Sequence, residues 1–434
     1  MASASPSPPI TSPVEAGAGE ASQNGPDASA PARPLGVAQA APYLQELEGL
    51  RGVAMLLVVG FHTDGLVNLI TNRPTAGEVV SSAYALLRAG GDLGVDVFFV
   101  LSSFLLSLPF LRAAGGPAPS TRRFFAKRAL RILPLYYAAV LAGALVNADR
   151  IADLTRALPY VLFLNSFAGM TSPLMPFSAV WWSLATEWQF YLVLPVAAWL
   201  CRSASGRWVA ALGLLGWAAA YAAWLAGWFA TATIDGHLSL GFSLFGRAPA
   251  FLGGALVAWI YKRRGERVDA PRPHARAVAG DLAVLVIIAA TGWLLQWKTT
   301  LGMVSQQVPW HAYHVLQAAG CTALLALTML APTHLPALLR RRTIVHLGVL
   351  SYSMYMLHVP VLMGGFAAAR RLGIAGLYAG WGVRSAVAAA VVLAACTGLS
   401  ELTYRVIERP FLARKERLTG RPSTSALTYR TPPL

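Results

Sequence analysis

Long apolar runs alternate with short polar segments along most of the chain. Ten of these runs are each close to the ~20 residues that an α-helix needs to cross a bilayer. A further apolar stretch at 157–168 is too short to span, which predicts a re-entrant or interfacial segment. The pattern predicts an all-α integral membrane protein with about ten transmembrane helices, at residues 50–70, 93–112, 128–147, 178–201, 207–230, 239–261, 280–298, 313–331, 343–366 and 376–400.

The two ends of the chain depart from this pattern. Residues 1–43 are rich in Pro, Ala, Ser and Gly and contain no apolar run, so we expect a disordered cytoplasmic tail. Lys and Arg favour cytoplasmic loops, and most of the 35 basic residues fall on one side if the first helix starts inside. We therefore expect both termini in the cytoplasm, a ten-helix domain at 44–411 and a basic cytoplasmic tail at 412–434.

Composition excludes several other classes of protein. Only 12% of the residues are charged and 56% are hydrophobic, whereas soluble proteins carry about 25% charged residues. A soluble enzyme, a disordered regulator and a coiled coil are thereby excluded. The formal charge of +16 follows from basic loops at a bilayer surface, so we expect no nucleic-acid partner. The three cysteines are isolated in or beside apolar spans, so neither a disulfide nor a metal site is predicted.

A few ionisable residues lie inside the predicted spans. Each costs at least ~2.5 kcal/mol on insertion scales, which makes it a functional candidate by default. These residues are His62, Asp96, Glu187, Arg247, His358 and Arg384.

His62 lies eleven residues after Arg51 in the first span. This spacing places the two side chains about 16 Å apart and only ~20° off the same helix face. They would line one wall of a cavity that takes a long anionic ligand, with its phosphates at Arg51 and its reactive end near His62. In the alternative, His62 only hydrogen-bonds a neighbouring helix and Arg51 only anchors the span.

Glu187 is predicted at about the same membrane depth as His62, which would allow the two side chains to pair. A carboxylate beside an imidazole fixes its tautomer and stabilises the imidazolium that forms on proton uptake. Ser183, one turn earlier on the same face, is placed to bond either partner. In the alternative, Glu187 pairs with Arg247 or Arg384 and only holds helices together.

Two further groups of polar residues extend the predicted cavity. Arg128 and Arg131 lie one turn apart, a geometry that can grip a phosphate, although inner-leaflet arginines also simply follow the positive-inside rule. A polar stripe in an otherwise apolar span would also line the cavity, and it consists of His358 and the stretch Ser351, Tyr352, Ser353, Met354 and Tyr355.

Short motifs recur in order through the whole domain. They are Leu47 to Gly52 with His62, Gly94 to Ser102, Arg128 to Pro134, Trp182 to Leu192, Arg247 to Gly254, Ser351 to His358, and Glu408 to Phe411. The ordered set resembles the acyltransferase family 3, membrane-bound proteins that O-acylate glycans and natural products. One departure is Ser103, where the family usually has glycine.

The resemblance implies an enzyme of the cell (plasma or inner) membrane. It implies that acyl-CoA, often acetyl-CoA, donates an acyl group from the cytoplasm to a hydroxyl of a glycan or glycoside. His62 is then the general base or an acyl relay, supported by Glu187 and Ser183. The donor side is assigned to Arg51, Arg128 and Arg131, and the substrate pocket to Asp96, Arg247, Tyr352 and His358. The rival hypothesis is a proton-coupled transporter or flippase that uses the same polar residues.

Overall fold

The computed structural model describes most of the predicted domain. The described residues are 44–71, 91–114, 116–146, 155–168, 174–175, 177–228, 234–265, 274–300, 306–374 and 383–417. They form helices joined by short turns, and these ranges contain no β-strand. The predicted tail at 1–43 and most of the predicted tail at 412–434 lie outside them.

Ten long helices in the described ranges follow the ten predicted spans in order. They are α1 (Gln45–Thr71), α2 (Gly91–Arg112), α3 (Thr121–Val146), α4 (Trp182–Leu200), α5 (Ala204–Leu225), α6 (Leu244–Arg263), α7 (His274–Thr300), α8 (Gln307–Leu330), α9 (Arg342–Arg371) and α10 (Val383–Thr403).

Eight helical segments of the described chain are long and apolar enough to cross a membrane. The two long helices outside this set are α1 and α4, which carry the polar candidates Arg51, His62 and Glu187. The predicted all-α integral membrane protein is confirmed, while the cytoplasmic placement of the termini stays a prediction.

Helices α1 and α2 form the centre of the bundle. Along one line of contacts the order is α9, α1, α2, α6 and α8. Of the most apolar stretch of α2, 67% is buried by protein, against 11% of that of α5. The outer faces of α5 and α7 expose large apolar side chains such as Trp208, Leu212 and Leu285, which suits contact with lipid.

Glycines permit the close helix contacts at this centre. A Cβ at Gly52 of α1 would collide with the backbone of α9 at Ile344, and one at Gly254 of α6 would collide with α2 at Val100. Small residues at such crossings let helix backbones approach closely inside membranes. The glycines of the sequence motifs therefore fix how the helices that carry the candidate residues pack.

The predicted sixth span is a broken helix. A short helix, Ile234–Phe242, ends before Ser243, and α6 begins at Leu244. The break leaves backbone groups unsatisfied, and two side chains of α4 bond them. Thr186 donates to the Phe242 carbonyl, and the Gln189 amide oxygen accepts from the Leu244 N–H at 2.9 Å. This is the usual way in which irregular backbone is tolerated at membrane depth.

Other short elements complete the domain. The stretch at 157–168 does not span, since it forms two single-turn helices, Leu158–Val161 and Asn165–Ala168, which agrees with the prediction. Another short helix, Leu335–Leu339, precedes α9. Beyond α10, a π-helix at Tyr404–Glu408 leads directly into a helix at Arg409–Arg417. Helical structure therefore runs through the predicted domain boundary at residue 411.

Candidate active site

A cavity of about 100 Å³ lies between α1, α2, α3, α4 and α9. It collects six of the residues that the sequence singled out. Helix periodicity explains the walls, because residues four apart share one face of a helix. Ser183, Glu187 and Tyr191 line the cavity from α4, and Ser351 and Tyr355 from α9. The six candidates that line it are Arg51, Arg128, Arg131, Ser183, Glu187 and Tyr352.

One part of the cavity is strongly basic. Arg51 of α1 interacts electrostatically with Arg131 of α3 and with Glu187 of α4. Arg128 of α3 likewise interacts electrostatically with Arg131 and Glu187. Of the charged side chains that line the cavity, three are arginines and one is the carboxylate Glu187, so the lining carries excess positive charge. Behind the lining, Glu48 pairs with Arg51 at 3.8 Å and Glu408 interacts with Arg51 and Arg131. A buried concentration of cations of this kind favours an anionic ligand.

Two buried polar atoms in the cavity wall lack a protein partner. They are Nε of Arg128 and Oγ of Ser351, both shielded from solvent. Buried donors and acceptors are nearly always satisfied in folded proteins, because leaving one unpaired costs about 1–3 kcal/mol. These atoms therefore indicate a polar ligand or ordered water in the cavity.

Glu187 does not pair with His62. Its Oε1 accepts a hydrogen bond from the Ser102 hydroxyl of α2, a residue that also lines the cavity. His62 and Glu187 both belong to the described part of the chain and form no hydrogen bond with each other. The predicted pairing is not formed, because Arg51, Arg128 and Ser102 draw the carboxylate to the basic part of the cavity.

The alternative predictions for Glu187 were ion pairs with Arg247 or with Arg384. Arg247 pairs with Asp96 instead of Glu187, and the side chain of Arg384 lies outside the described residues. Ser183, predicted to support Glu187 or His62, lies 2.6 Å from the Tyr355 hydroxyl, which also donates to the Val180 carbonyl.

His62 does not line the cavity, and it contacts a second histidine. Its Nδ1 is 3.3 Å from Nε2 of His358 on α9, and the two ring centroids are 4.8 Å apart. His358 is completely buried, whereas His62 is partly exposed. Tyr355 connects this pair to the cavity, since it lines the cavity and its ring centroid is 5.6 Å from that of His358.

Asp96 and Arg247, predicted for the substrate pocket, lie in a different buried cluster. Nη1 of Arg247 is 3.3 Å from Oδ1 of Asp96 and 2.6 Å from Nδ1 of His314. Nearby, Lys298 forms a 2.5 Å ion pair with Asp92. This cluster joins α2, α6, α7 and α8, and none of its members lines the cavity described above. Tyr352 does line the cavity, and its hydroxyl donates to the Ile132 carbonyl at 2.7 Å.

Ser103, which stands where the family usually has glycine, lies at a contact between two helices. Its hydroxyl donates to the Phe251 carbonyl of α6 at 2.5 Å, next to the close contact at Gly254. Ser103 is fully buried and does not line the cavity. The change from the family's glycine therefore affects the contact between α2 and α6 and leaves the cavity wall intact.

Sequence reasoning missed several polar residues of these sites. Ser102 and Tyr191 line the cavity, and His314 completes the buried cluster. Helical spacing could have found Tyr191, because it lies four residues after Glu187. Tyr355, a member of the predicted polar stripe, also lines the cavity. Hydropathy starts the predicted span only at residue 313 and so puts His314 at its edge, whereas the residue lies two turns inside α8.

A bundle of apolar helices around a buried basic cavity, with a histidine pair beside it, defines a polytopic membrane protein with an interior polar site. A family model described as an acyltransferase domain, that of acyltransferase family 3, matches residues 44–401. The chain belongs to this family, and the resemblance seen in the sequence is confirmed.

Several curated proteins are similar to the chain over much of its length. Peptidoglycan O-acetyltransferase OatA of Listeria monocytogenes is 23% identical over 74% of this chain and 49% of its own, so the chain spans about half of that relative. Exopolysaccharide production protein ExoZ of Rhizobium meliloti is 29% identical over 75% of this chain and 90% of its own. Acyltransferase MdmB of Streptomyces mycarofaciens is 26% identical over 87% and 93%. No solved structure gives a significant match.

Proposed function

We propose that this protein is an O-acyltransferase of the cell membrane. It transfers an acyl group, foremost acetyl, from cytoplasmic acyl-CoA to a hydroxyl of a carbohydrate or glycosylated natural product. The observation that carries the proposal is the cavity lined by three arginines, one wall residue of which, Tyr355, packs against His358 of the histidine pair. Membership of the family supports acyl transfer, and the basic lining of the cavity supports a negatively charged donor.

The residues of the basic part fit the anionic portion of acyl-CoA. Arg51, Arg128 and Arg131 offer guanidinium donors, which bind phosphate groups with charge-assisted hydrogen bonds. The unpartnered Nε of Arg128 and Oγ of Ser351 supply further polar contacts inside the wall. Glu187 limits the repulsion among the three cations, and Ser102 holds its carboxylate in place.

His62 is the proposed general base. The acceptor oxygen bonds to the acyl carbon while the bond between that carbon and sulfur breaks. The hydroxyl proton moves to His62 and from there to the leaving thiolate, so atoms and charge balance. A positioned base of this kind contributes about 10²–10⁴-fold to the rate. A covalent acyl group on His62 during turnover would instead identify the residue as an acyl relay.

The relatives guide the choice of acceptor. The names of two of them refer to peptidoglycan and to exopolysaccharide, which are both polyhydroxylated glycans. We infer the same chemical class of acceptor here, a hydroxyl on a sugar. Both relatives are less than a third identical to the chain, so the particular sugar is left to experiment.

The test uses membranes that contain the protein at matched levels and acetyl-CoA labelled on the acetyl group. The label is followed into glycan, lipid and small-molecule fractions, for the wild type, His62→Ala and the control His334→Ala. His334 is an exposed residue paired with Asp281, and neither of the two lines the cavity. We expect transfer by the wild type and the control only, and the labelled fraction identifies the acceptor class.

A proton-coupled transporter makes a different prediction in the same experiment. It moves its substrate without consuming acyl-CoA, so loss of the thioester would be equal in wild type and His62→Ala. That outcome contradicts the proposed function.

A further inference from the structure

We propose that His358 is the positioning residue of His62: it accepts a second hydrogen bond from the His62 ring and stabilises that ring when it takes up a proton. This inference rests on the proposed function, in which His62 accepts the proton of the acceptor hydroxyl. His358 is fully buried on α9, and its Nε2 lies 3.3 Å from Nδ1 of His62 on α1. It takes the place that a carboxylate occupies beside many catalytic histidines.

Backbone carbonyls fix the tautomer of both rings. Nδ1 of His62 is 2.8 Å from the Val58 carbonyl oxygen, which can only accept, so this nitrogen carries a proton. Nδ1 of His358 is 2.8 Å from the Tyr355 carbonyl and 3.2 Å from that of Met354, so it carries a proton as well. In the neutral rings, both Nε2 atoms therefore hold a lone pair.

This arrangement makes the contact between the rings directional. The Nδ1–H of His62 points to two acceptors, the Val58 carbonyl and the lone pair on Nε2 of His358. The Nε2 lone pair of His62 is left for the substrate, and no described residue bonds it. When that atom takes up a proton, the charge on the ring strengthens the hydrogen bond to His358.

A second proton on His358 would abolish this support. It would place two N–H groups opposite each other, and the buried site offers no carboxylate bonded to either ring among the described residues. The pair therefore carries at most one added proton, which resides on His62. His358 accepts no proton in the reaction and acts only through the orientation and charge of His62.

The test compares three substitutions of His358 that differ in whether, and at what distance, a hydrogen-bond acceptor faces His62. In His358→Gln, the amide oxygen lies near the position of Nε2 and still accepts from His62. In His358→Asn, the same amide group is one bond shorter, and in His358→Leu the acceptor is lost. We expect kcat to fall roughly 100-fold for Asn and Leu. We expect the kcat of His358→Gln to stay within about threefold of the wild-type value. The KM for acetyl-CoA should be unchanged in all three variants.

An equal kcat for His358→Gln and His358→Asn would overturn the inference. Either amide can fill space in the core, so equal values would mean that His358 has only a structural role. Full activity of His358→Leu would overturn it as well. Full activity of His62→Ala refutes the proposed function itself, a result that the His358 variants do not produce. Folding is checked by the thermal midpoint in detergent, so that a misfolded variant is recognised.

A second measurement needs no activity. Nitrogen-15 spectra of histidine-labelled protein in bilayers report which ring nitrogen is protonated, and His62→Ala and His358→Gln assign the two signals. We expect both rings protonated at Nδ1 and not at Nε2. A His358 ring protonated at Nε2 overturns the inference even if no acyl transfer is found.

Discussion

Arg128 is the arginine whose surroundings are most specific for a ligand. It is held in the cavity wall of α3, and its Nε has no protein partner. Arg128→Gln removes the charge and the guanidinium group but keeps a polar amide at about the position of Nε. A charge-assisted hydrogen bond is worth about 1.5–3 kcal/mol, so we expect the KM for acyl-CoA to rise about 10- to 100-fold.

The neighbouring Arg123→Gln provides the control for this change. Arg123 is exposed near the start of the same helix and does not line the cavity. Initial rates at several acetyl-CoA concentrations separate the two variants. An equal effect of both substitutions would mean that general surface charge, and not the cavity, attracts the donor.

Two adjacent serines on α2 form different kinds of contact. Ser102 donates to Glu187 inside the cavity, whereas Ser103 donates to the Phe251 carbonyl at the contact with α6. Ser102→Ala should lower acyl transfer about tenfold, because a hydrogen bond to a charged group is worth about 1.5–3 kcal/mol. Ser103→Gly should leave transfer unchanged and shift only the thermal midpoint. The reverse pattern would contradict the placement of Glu187.

The residues of the site could be predicted from the sequence better than their partners. Charged groups in apolar spans identified Arg51, His62 and Glu187, because burying them without a function is costly. The pairing of Glu187 with His62 was inferred from membrane depth alone. Depth does not specify which face of a helix meets which neighbour, and Ser102 and the arginines turned out to surround the carboxylate.

At the scale of the helices, glycine contacts hold α1 against its neighbours. A Cβ at Gly52 would collide with the Ile344 carbonyl of α9. Gly52→Ala should therefore destabilise the protein by about 1–3 kcal/mol, the usual cost of overpacking. The thermal midpoint in detergent and the yield of monodisperse protein measure this loss.

Gly213→Ala is the matched control for Gly52→Ala. Gly213 lies on the exposed face of α5, and a Cβ there meets no atom within 4 Å. Alanine is a better helix former than glycine, so this variant should be as stable as wild type or up to about 1 kcal/mol more stable. If both variants lose stability alike, the contact between α1 and α9 is not the cause.

The sequence predicted the ten long helices but not their interruptions. Hydropathy remains high across Ser243, so nothing in the apolar pattern marks the break before α6. The break is stable because Thr186 and Gln189 reach it from α4, a tertiary effect that the local sequence does not show. The π-helix at Tyr404–Glu408 escaped prediction for the same reason, since it depends on the packing of Glu408 against Ser353.

At the scale of the molecule, and among the described residues, α2 contributes to two separate polar regions of the interior. One is the cavity with its arginines, and the other is the cluster of Asp96, Arg247 and His314, which joins three helices. Removal of one partner from a buried ion pair costs about 3–5 kcal/mol. Asp96→Asn should therefore lower the thermal midpoint strongly while the KM for acyl-CoA in the folded fraction stays unchanged.

The pair of Asp281 with His334 serves as the control for Asp96→Asn. It is partly exposed to solvent, and exposed pairs contribute at most about 1 kcal/mol. Asp281→Asn should therefore leave the thermal midpoint nearly unchanged. A raised KM for acyl-CoA in folded Asp96→Asn would return Asp96 to the substrate pocket, where the sequence had placed it.

The most direct test of the whole account is acyl transfer by purified protein reconstituted in lipid vesicles. Initial rates are measured with labelled acetyl-CoA and the acceptor fraction identified in membranes, for the wild type, His62→Ala and His334→Ala. Loss of a general base predicts a rate at least about 10²-fold lower for His62→Ala, with His334→Ala unchanged. Equal rates for all three proteins would contradict acyl transfer through His62.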